Sequence, residues 1–146
     1  MGAMISLIVC TLGRDAPLRR LLTSLSEQSY SPFEIIIADQ NPGSYLDALL
    51  DAYPSLPIVR ARSERGLSRG RNVGLTHASG SIIGFPDDDC CYDHQVLPFV
   101  DGFFASNSQI DLLSGRTLDA DGHDSVNRYL AESGPITRSN VFTTGN

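Results

Sequence analysis

Two short, β-branched runs with a one-faced helix between them restrict the folds open to this chain more than any other feature. Ile5-Ser6-Leu7-Ile8-Val9-Cys10 and Phe33-Glu34-Ile35-Ile36-Ile37-Ala38 are strand-length and almost continuously apolar, the pattern of strands covered on both faces. Between them Leu18, Leu21, Leu22 and Leu25 recur at i, i+3, i+4 and i+7, which is one face of a helix. Pro17 suits the first turn of that helix, Asp15 is its candidate N-cap, and Pro32 closes the segment.

The alternation continues downstream. A second helix is expected with Leu46, Leu49, Leu50 and Tyr53 on one face, then a third strand near Ile58-Val59. Arg69 to Ala78 predicts a short helix stopped by Gly80, and Ser81-Ile82-Ile83-Gly84-Phe85 a fourth strand. A helix over Asp93 to Ala105 would turn Val96, Phe99, Val100 and Phe103 inward, and Ile110 to Ser114 reads as a fifth strand. Strands alternating with helices define an α/β fold, a mostly parallel sheet with helices on both faces. The chain has 146 residues, enough for one domain with a core. From Asp119 onward Gly, Ser, Asn, Thr and Asp dominate and periodicity is lost. The expected division is therefore a start and cloning scar at 1–4, an α/β ligand-binding domain at 5–116, and at 117–146 the irregular start of a segment that would meet a second substrate. The expectation is a truncated chain, cut before its next structural unit.

In open parallel sheets, ligands bind beyond the carboxyl ends of the strands. Thr11, Asp39 and the trio Asp87-Asp88-Asp89 stand at those ends here. Three adjacent carboxylates repel one another unless a cation or water intervenes. Mg²⁺ or Mn²⁺ suits such hard oxygen ligands, and needs only one or two carboxylates beside water and substrate phosphates. Alternating direction along the backbone lets Asp87 and Asp89 share a metal while Asp88 faces elsewhere. The competing reading is a solvated acidic turn ahead of the next helix. Arg60, Arg62, Arg65, Arg69 and Arg71 form a basic stretch, with Gly66, Gly70 and Gly74 permitting tight turns among them. Most of these arginines read as solvated surface, and Arg71 is the one placed to face a diphosphate.

Several chemistries find no support. The net charge is -6 and every basic residue is Arg, a balance that argues against nucleic acid as partner. No apolar run reaches the length of a transmembrane segment. Cys10, Cys90 and Cys91 are odd in number and lack zinc-site spacing, so a reducing cytoplasm is the expected location. GxGxxG and P-loop patterns are absent after the first strand.

Taken together, Ile5 to Thr11, Ile35 to Gln40, Gly66 to Gly74 and Gly80 to Asp89 resemble, in order and spacing, the family 2 glycosyltransferases of the GT-A (Rossmann-like nucleotide-diphospho-sugar transferase) fold. That resemblance implies metal-assisted, inverting transfer of a sugar from a nucleotide-diphosphate donor (UDP, GDP or dTDP linked). The acceptor would be a carbohydrate or lipid-linked hydroxyl, in polysaccharide biosynthesis, in the cytoplasm or at the cytoplasmic face of the membrane. Thr11 would meet the nucleotide, Asp39 the base, and Arg71 the diphosphate. Asp88 would join this donor-binding set, Asp87 would contact ribose or metal, and Asp89 would coordinate Mn²⁺ or Mg²⁺, the DxD signature. The general base that inversion requires matches nothing after Arg116, and is expected beyond Asn146. The alternatives are a non-catalytic nucleotide- or metal-binding module, and a nucleotidyltransferase, whose usual Gly-rich basic opening loop is missing.

Overall fold

The computed structural model describes residues 2–119, 121–125 and 132–140. Four parallel strands form one sheet in the order β3-β2-β1-β4: β1 (Ile5–Thr11), β2 (Phe33–Asp39), β3 (Ile58–Arg62) and β4 (Ile82–Gly84). Helix α1 (Asp15–Ser26) joins β1 to β2, α2 (Asp47–Leu50) precedes β3, α3 (Leu67–Leu75) precedes β4, and α4 (Val96–Ser106) follows. The α/β architecture with parallel strands is as the alternating pattern predicts.

Alternation along the strands divides the core in two. Ile5, Leu7 and Val9 of β1 and Ile35 and Ile37 of β2 pack with Leu18, Leu21, Leu22 and Leu25 of α1, and with Leu46, Leu49 and Leu97. Ile8, Ile36 and Ala61 face the other way, where Val73 of α3, Ala78 and Ile83 cover them. Each fully buried Leu or Ile contributes about 1.5–3 kcal/mol relative to exposure, so the first face carries most of the apolar stabilisation.

Helix α3 reaches the sheet by having no side chains in the way. A Cβ on Gly70 would lie 2.7 Å from Cys10 Sγ, and one on Gly74 would overlap Ile8. Ser6, Ile8 and Cys10 are alternate residues of β1, and Gly80, Gly74 and Gly70 stand against them in turn. Of the three interleaved glycines, only Gly66, at φ 134° before the helix, serves a turn. Gly70 and Gly74 serve close approach instead.

Three expectations give way. Helix α4 buries Leu97, while Phe99 is 63% exposed; α4 is apolar on several faces, so its spacing alone does not orient it. Asp15 is the first residue of α1 rather than its cap, Arg14 taking that position without a side-chain cap bond. Ile110 to Ser114 form no strand, and Leu112 is 70% exposed. An extended apolar run becomes a strand only when a neighbouring strand pairs with its backbone, and no pairing of 110–114 occurs among the described residues. The chain divides into two compact units, Met1–Ser106 and Asn107–Asn146. Within the described part of the second, Leu118 bridges Asp124 and Arg116 Nε lies 2.5 Å from Asp124 Oδ1.

Candidate functional site

The register of the sheet builds one rim. Thr11 and Asp39 are direct partners at the ends of β1 and β2. β4 ends at Gly84, and Phe85-Pro86 carries the chain to Asp87. There an open cleft of about 420 Å³ is lined by Cys10, Thr11, Leu12 and Arg14 from β1 and the loop after it, by Gln40 after β2, by Leu67 at the start of α3, and by Asp87, Asp88 and Asp89.

Thr11 forms the floor. It is 2% exposed, and its Oγ1 is buried without a hydrogen-bond partner of normal geometry. Asp88 is also buried. Burial raises its pKa above the usual carboxylate value; the nearby Thr11 hydroxyl and Arg14 pull it down, and Asp89 and Asp87 push it up again. Asp87 and Asp89 hold their carboxylates half in solvent. One guanidinium nitrogen of Arg14, Nη1, lies 2.6 Å from Asp89 Oδ2 and 3.3 Å from Asp88 Oδ1. The like charges of the trio are thus partly balanced from within the chain.

Arg71 sits at the margin, outside the cleft lining. Its Nη2 is 3.7 Å from Asp87 Oδ1, and its Cζ lies 5.4 Å from the centre of the Phe85 ring, a cation–π contact. Asp39 stands where the strand pattern puts it, but its carboxylate does not open into the cleft. The side chain is 0% exposed. Oδ1 accepts from the backbone and side-chain amides of Asn41, both at 2.9 Å, and Oδ2 meets Arg60 Nε at 2.8 Å and Arg62 Nη1 at 2.9 Å. Burial alone would raise the Asp39 pKa, but the Asn41 hydrogen bonds and Arg60 outweigh it and the net shift is downward. Both Asp39 oxygens are thus engaged within the chain. One reading is corrected. Arg60 and Arg62 are not merely solvated, because they clamp that carboxylate.

Gln40, the next residue, is what faces the cleft. Its amide donates to Gly66 O at 3.1 Å and accepts from Gly66 N at 3.0 Å, tying the end of β2 to the start of α3. The sequence pattern missed Arg14 and Gln40. Both lie within a few residues of a strand end, and extending the rim argument one turn downstream would have found them.

The donor set can be weighed against a metal on this geometry. Two half-exposed carboxylates, Asp87 and Asp89, are hard oxygen ligands with faces turned to solvent, as Mg²⁺ or Mn²⁺ prefers. Thr11 lines the same cleft. The residues fit.

The chain is an α/β protein whose parallel sheet carries a polar, acidic cleft beyond its strand ends, where ligands of such sheets bind. The chain belongs to glycosyl transferase family 2, which it matches over residues 6–127. It is 38% identical over 87 residues to an uncharacterized glycosyltransferase, YwdF, of Bacillus subtilis, covering 58% of this chain and 32% of that one. Among solved structures it resembles Staphylococcus aureus TarS 1-349 in complex with UDP-GlcNAc, with a TM-score of 0.65, 24% identity, and 72% and 32% of the two chains covered. It also resembles a mannosyltransferase of Pyrobaculum calidifontis in complex with GDP-Man and Mn²⁺, with a TM-score of 0.65, 22% identity, and 72% and 33% covered. Both neighbours have the GT-A fold. The chain spans about a third of the length of each of these relatives.

Proposed function

We propose that this chain forms the donor-binding side of an inverting glycosyltransferase. It would bind a nucleotide-diphosphate sugar, UDP, GDP or dTDP linked, with Mn²⁺ or Mg²⁺ held by Asp89 and Asp87. The sugar would pass to a carbohydrate or lipid-linked hydroxyl. The observation that carries this reading is the convergence of Thr11, at the end of β1, with Asp87, Asp88 and Asp89 in one open cleft beyond the strand ends.

Each residue then has a task. Thr11 donates to the nucleotide. Asp88, held by Arg14, accepts from it, and Asp87 reaches either the ribose or the metal. The bound metal would supply Lewis-acid stabilisation of charge on the departing diphosphate. Arg71 approaches the same phosphates from the margin, and the start of α3 adds the partial positive charge of a helix N-terminus. Asp39 contributes indirectly, by fixing the loop that presents Gln40. The complexes of the two structural neighbours, with UDP-GlcNAc and with GDP-Man and Mn²⁺, support the ligand class. Its proposed place of work is the cytoplasm or the cytoplasmic face of the membrane.

Calorimetry with UDP, GDP and dTDP, with and without Mn²⁺, tests the reading. One nucleotide is expected to bind more tightly with Mn²⁺, and Asp89→Ala to remove that gain, about tenfold or more, because a metal bound by so few protein carboxylates cannot spare one. If the Mn²⁺ dependence survives Asp89→Ala, the metal assignment is wrong.

A further inference from the structure

The position of Arg14 carries a consequence for how this cleft is loaded. Its Nη1 lies between Asp88 Oδ1 and Asp89 Oδ2, at 3.3 and 2.6 Å, so a single positive nitrogen serves both carboxylates. A metal held by Asp89 and Asp87 would compete for the nearer of those oxygens, Asp89 Oδ2.

We infer that Arg14 is a built-in counter-cation, which neutralises Asp88 and Asp89 while no metal is bound and gives up Asp89 when a divalent cation enters. The inference rests on the donor-binding reading above and adds a residue that changes partner. Three features of the chain support it.

The first is electrostatic. Three consecutive carboxylates, one of them buried, repel one another unless a positive charge or water intervenes, and before metal arrives Arg14 is the nearest cation. Second, Arg14 is held by nothing else. Among the described residues its ion pairs are those two alone, its side chain is 51% exposed, and at the N-cap position of α1 it makes no side-chain cap bond. Arg60 differs, being gripped by Asp39 and Asp47 together. A long side chain tethered only by carboxylates on a solvent-facing rim can leave at little cost. Third, the buried Thr11 hydroxyl approaches the Asp88 carboxylate in the same cleft, so Asp88 keeps a polar neighbour while Asp89 is the carboxylate free to change partner. Once released, the guanidinium remains on the rim of a cleft read as holding a diphosphate, and its planar fork matches phosphate oxygens. One side chain would therefore oppose the metal and assist the donor.

Opposite signs in two binding measurements test this. Mn²⁺ affinity of the full chain without nucleotide, followed by the electron paramagnetic resonance of free Mn²⁺, is expected to rise about threefold or more in Arg14→Gln, the scale of a lost half-exposed ion-pair competitor. Arg14→Lys keeps the charge and is expected to stay near wild type. With saturating Mn²⁺, the tightest binder among UDP, GDP and dTDP is expected to bind Arg14→Gln about three- to tenfold more weakly, as a charge-assisted contact is lost. Unchanged or weaker Mn²⁺ affinity in a folded Arg14→Gln, checked by circular dichroism, overturns the inference. Should that variant not fold, Arg14→Lys decides the matter with nucleotide: full wild-type nucleotide affinity overturns the paired contact, and a partial loss supports it. Asp89→Asn separates the two readings. If it abolishes Mn²⁺ binding while Arg14→Gln changes nothing, only the role of Arg14 falls. If Asp89→Asn binds Mn²⁺ like wild type, the metal site itself is misplaced and both fall.

Discussion

At Asp39 a single carboxylate shows how a rim residue can be structural. It accepts two hydrogen bonds from Asn41 on one oxygen and meets two arginines on the other. Removing one member of a buried ion pair costs about 3–5 kcal/mol. Because Arg60 and Arg62 are 25% and 51% exposed, water can re-solvate them, and Asp39→Asn is expected to destabilise the chain by about 2–3 kcal/mol. Arg62→Ala, which leaves Arg60 in place, should cost under about 1 kcal/mol. Urea denaturation of both variants checks the ordering; equal costs would mean that Arg62, not the buried carboxylate, holds the clamp. The same position marks the limit of what residue type and strand position reveal. Thr11 and the Asp87–Asp89 trio were readable because they follow apolar strands, and the cleft gathers them. Whether a rim carboxylate faces outward depends on Arg60 and Arg62, which arrive from the neighbouring strand β3 in register with Ile37 and Asp39. Pairing across strands is not written in the local pattern.

Helices α3 and α4 show the same limit at the scale of elements. β1, α1 and β2 were legible because each has a single period that agrees with its burial. α4 is not, since Val96, Leu97, Phe99, Val100, Phe103 and Phe104 leave no clean polar face to orient it. The two helices also use glycine oppositely. Gly74 stands so close to Ile8 that a methyl group would overlap it, whereas nothing lies within 4 Å of a Cβ built on Gly102. Ala improves helix propensity over Gly by about 1 kcal/mol, but forcing a methyl into a packed contact costs about 1–3 kcal/mol. Gly102→Ala is therefore expected to stabilise by about 0.5–1 kcal/mol, and Gly74→Ala to destabilise by up to about 2 kcal/mol. Thermal melts of the pair read the signs directly. If Gly74→Ala raises the melting temperature as Gly102→Ala does, α3 is not seated against β1 as described.

On the scale of the whole first unit, β2 is pinned by a carboxylate at each end. At its start Glu34 Oε1 accepts from Ser6 Oγ at 2.6 Å, and from the backbone and hydroxyl of Ser79 at 2.8 Å each. At its finish stands Asp39. Burial would raise the pKa of Glu34, yet the hydrogen bonds from Ser6, Ser79 and Gly80 win and the net shift is downward, as it is for Asp39. A carboxyl whose folded pKa lies below its unfolded value stabilises fully above the unfolded value, and the contribution is lost as pH falls through the folded one. The loss should therefore begin near the ordinary values of 4.5 for Glu34 and 3.8 for Asp39 and deepen below them. The chain carries a net charge of -6 with a pI near 4.8, so it is crossing into net positive charge as the pins are protonated, and repulsion then adds to their loss. Acid unfolding followed by circular dichroism should be steep below about pH 4. Glu34→Gln should be less stable than wild type at pH 7, with a shallower acid limb. A Glu34→Gln curve parallel to wild type across that window would show that β2 is not held at its start by the charged carboxylate. It would leave Asp39 and the general charge balance to account for acid sensitivity.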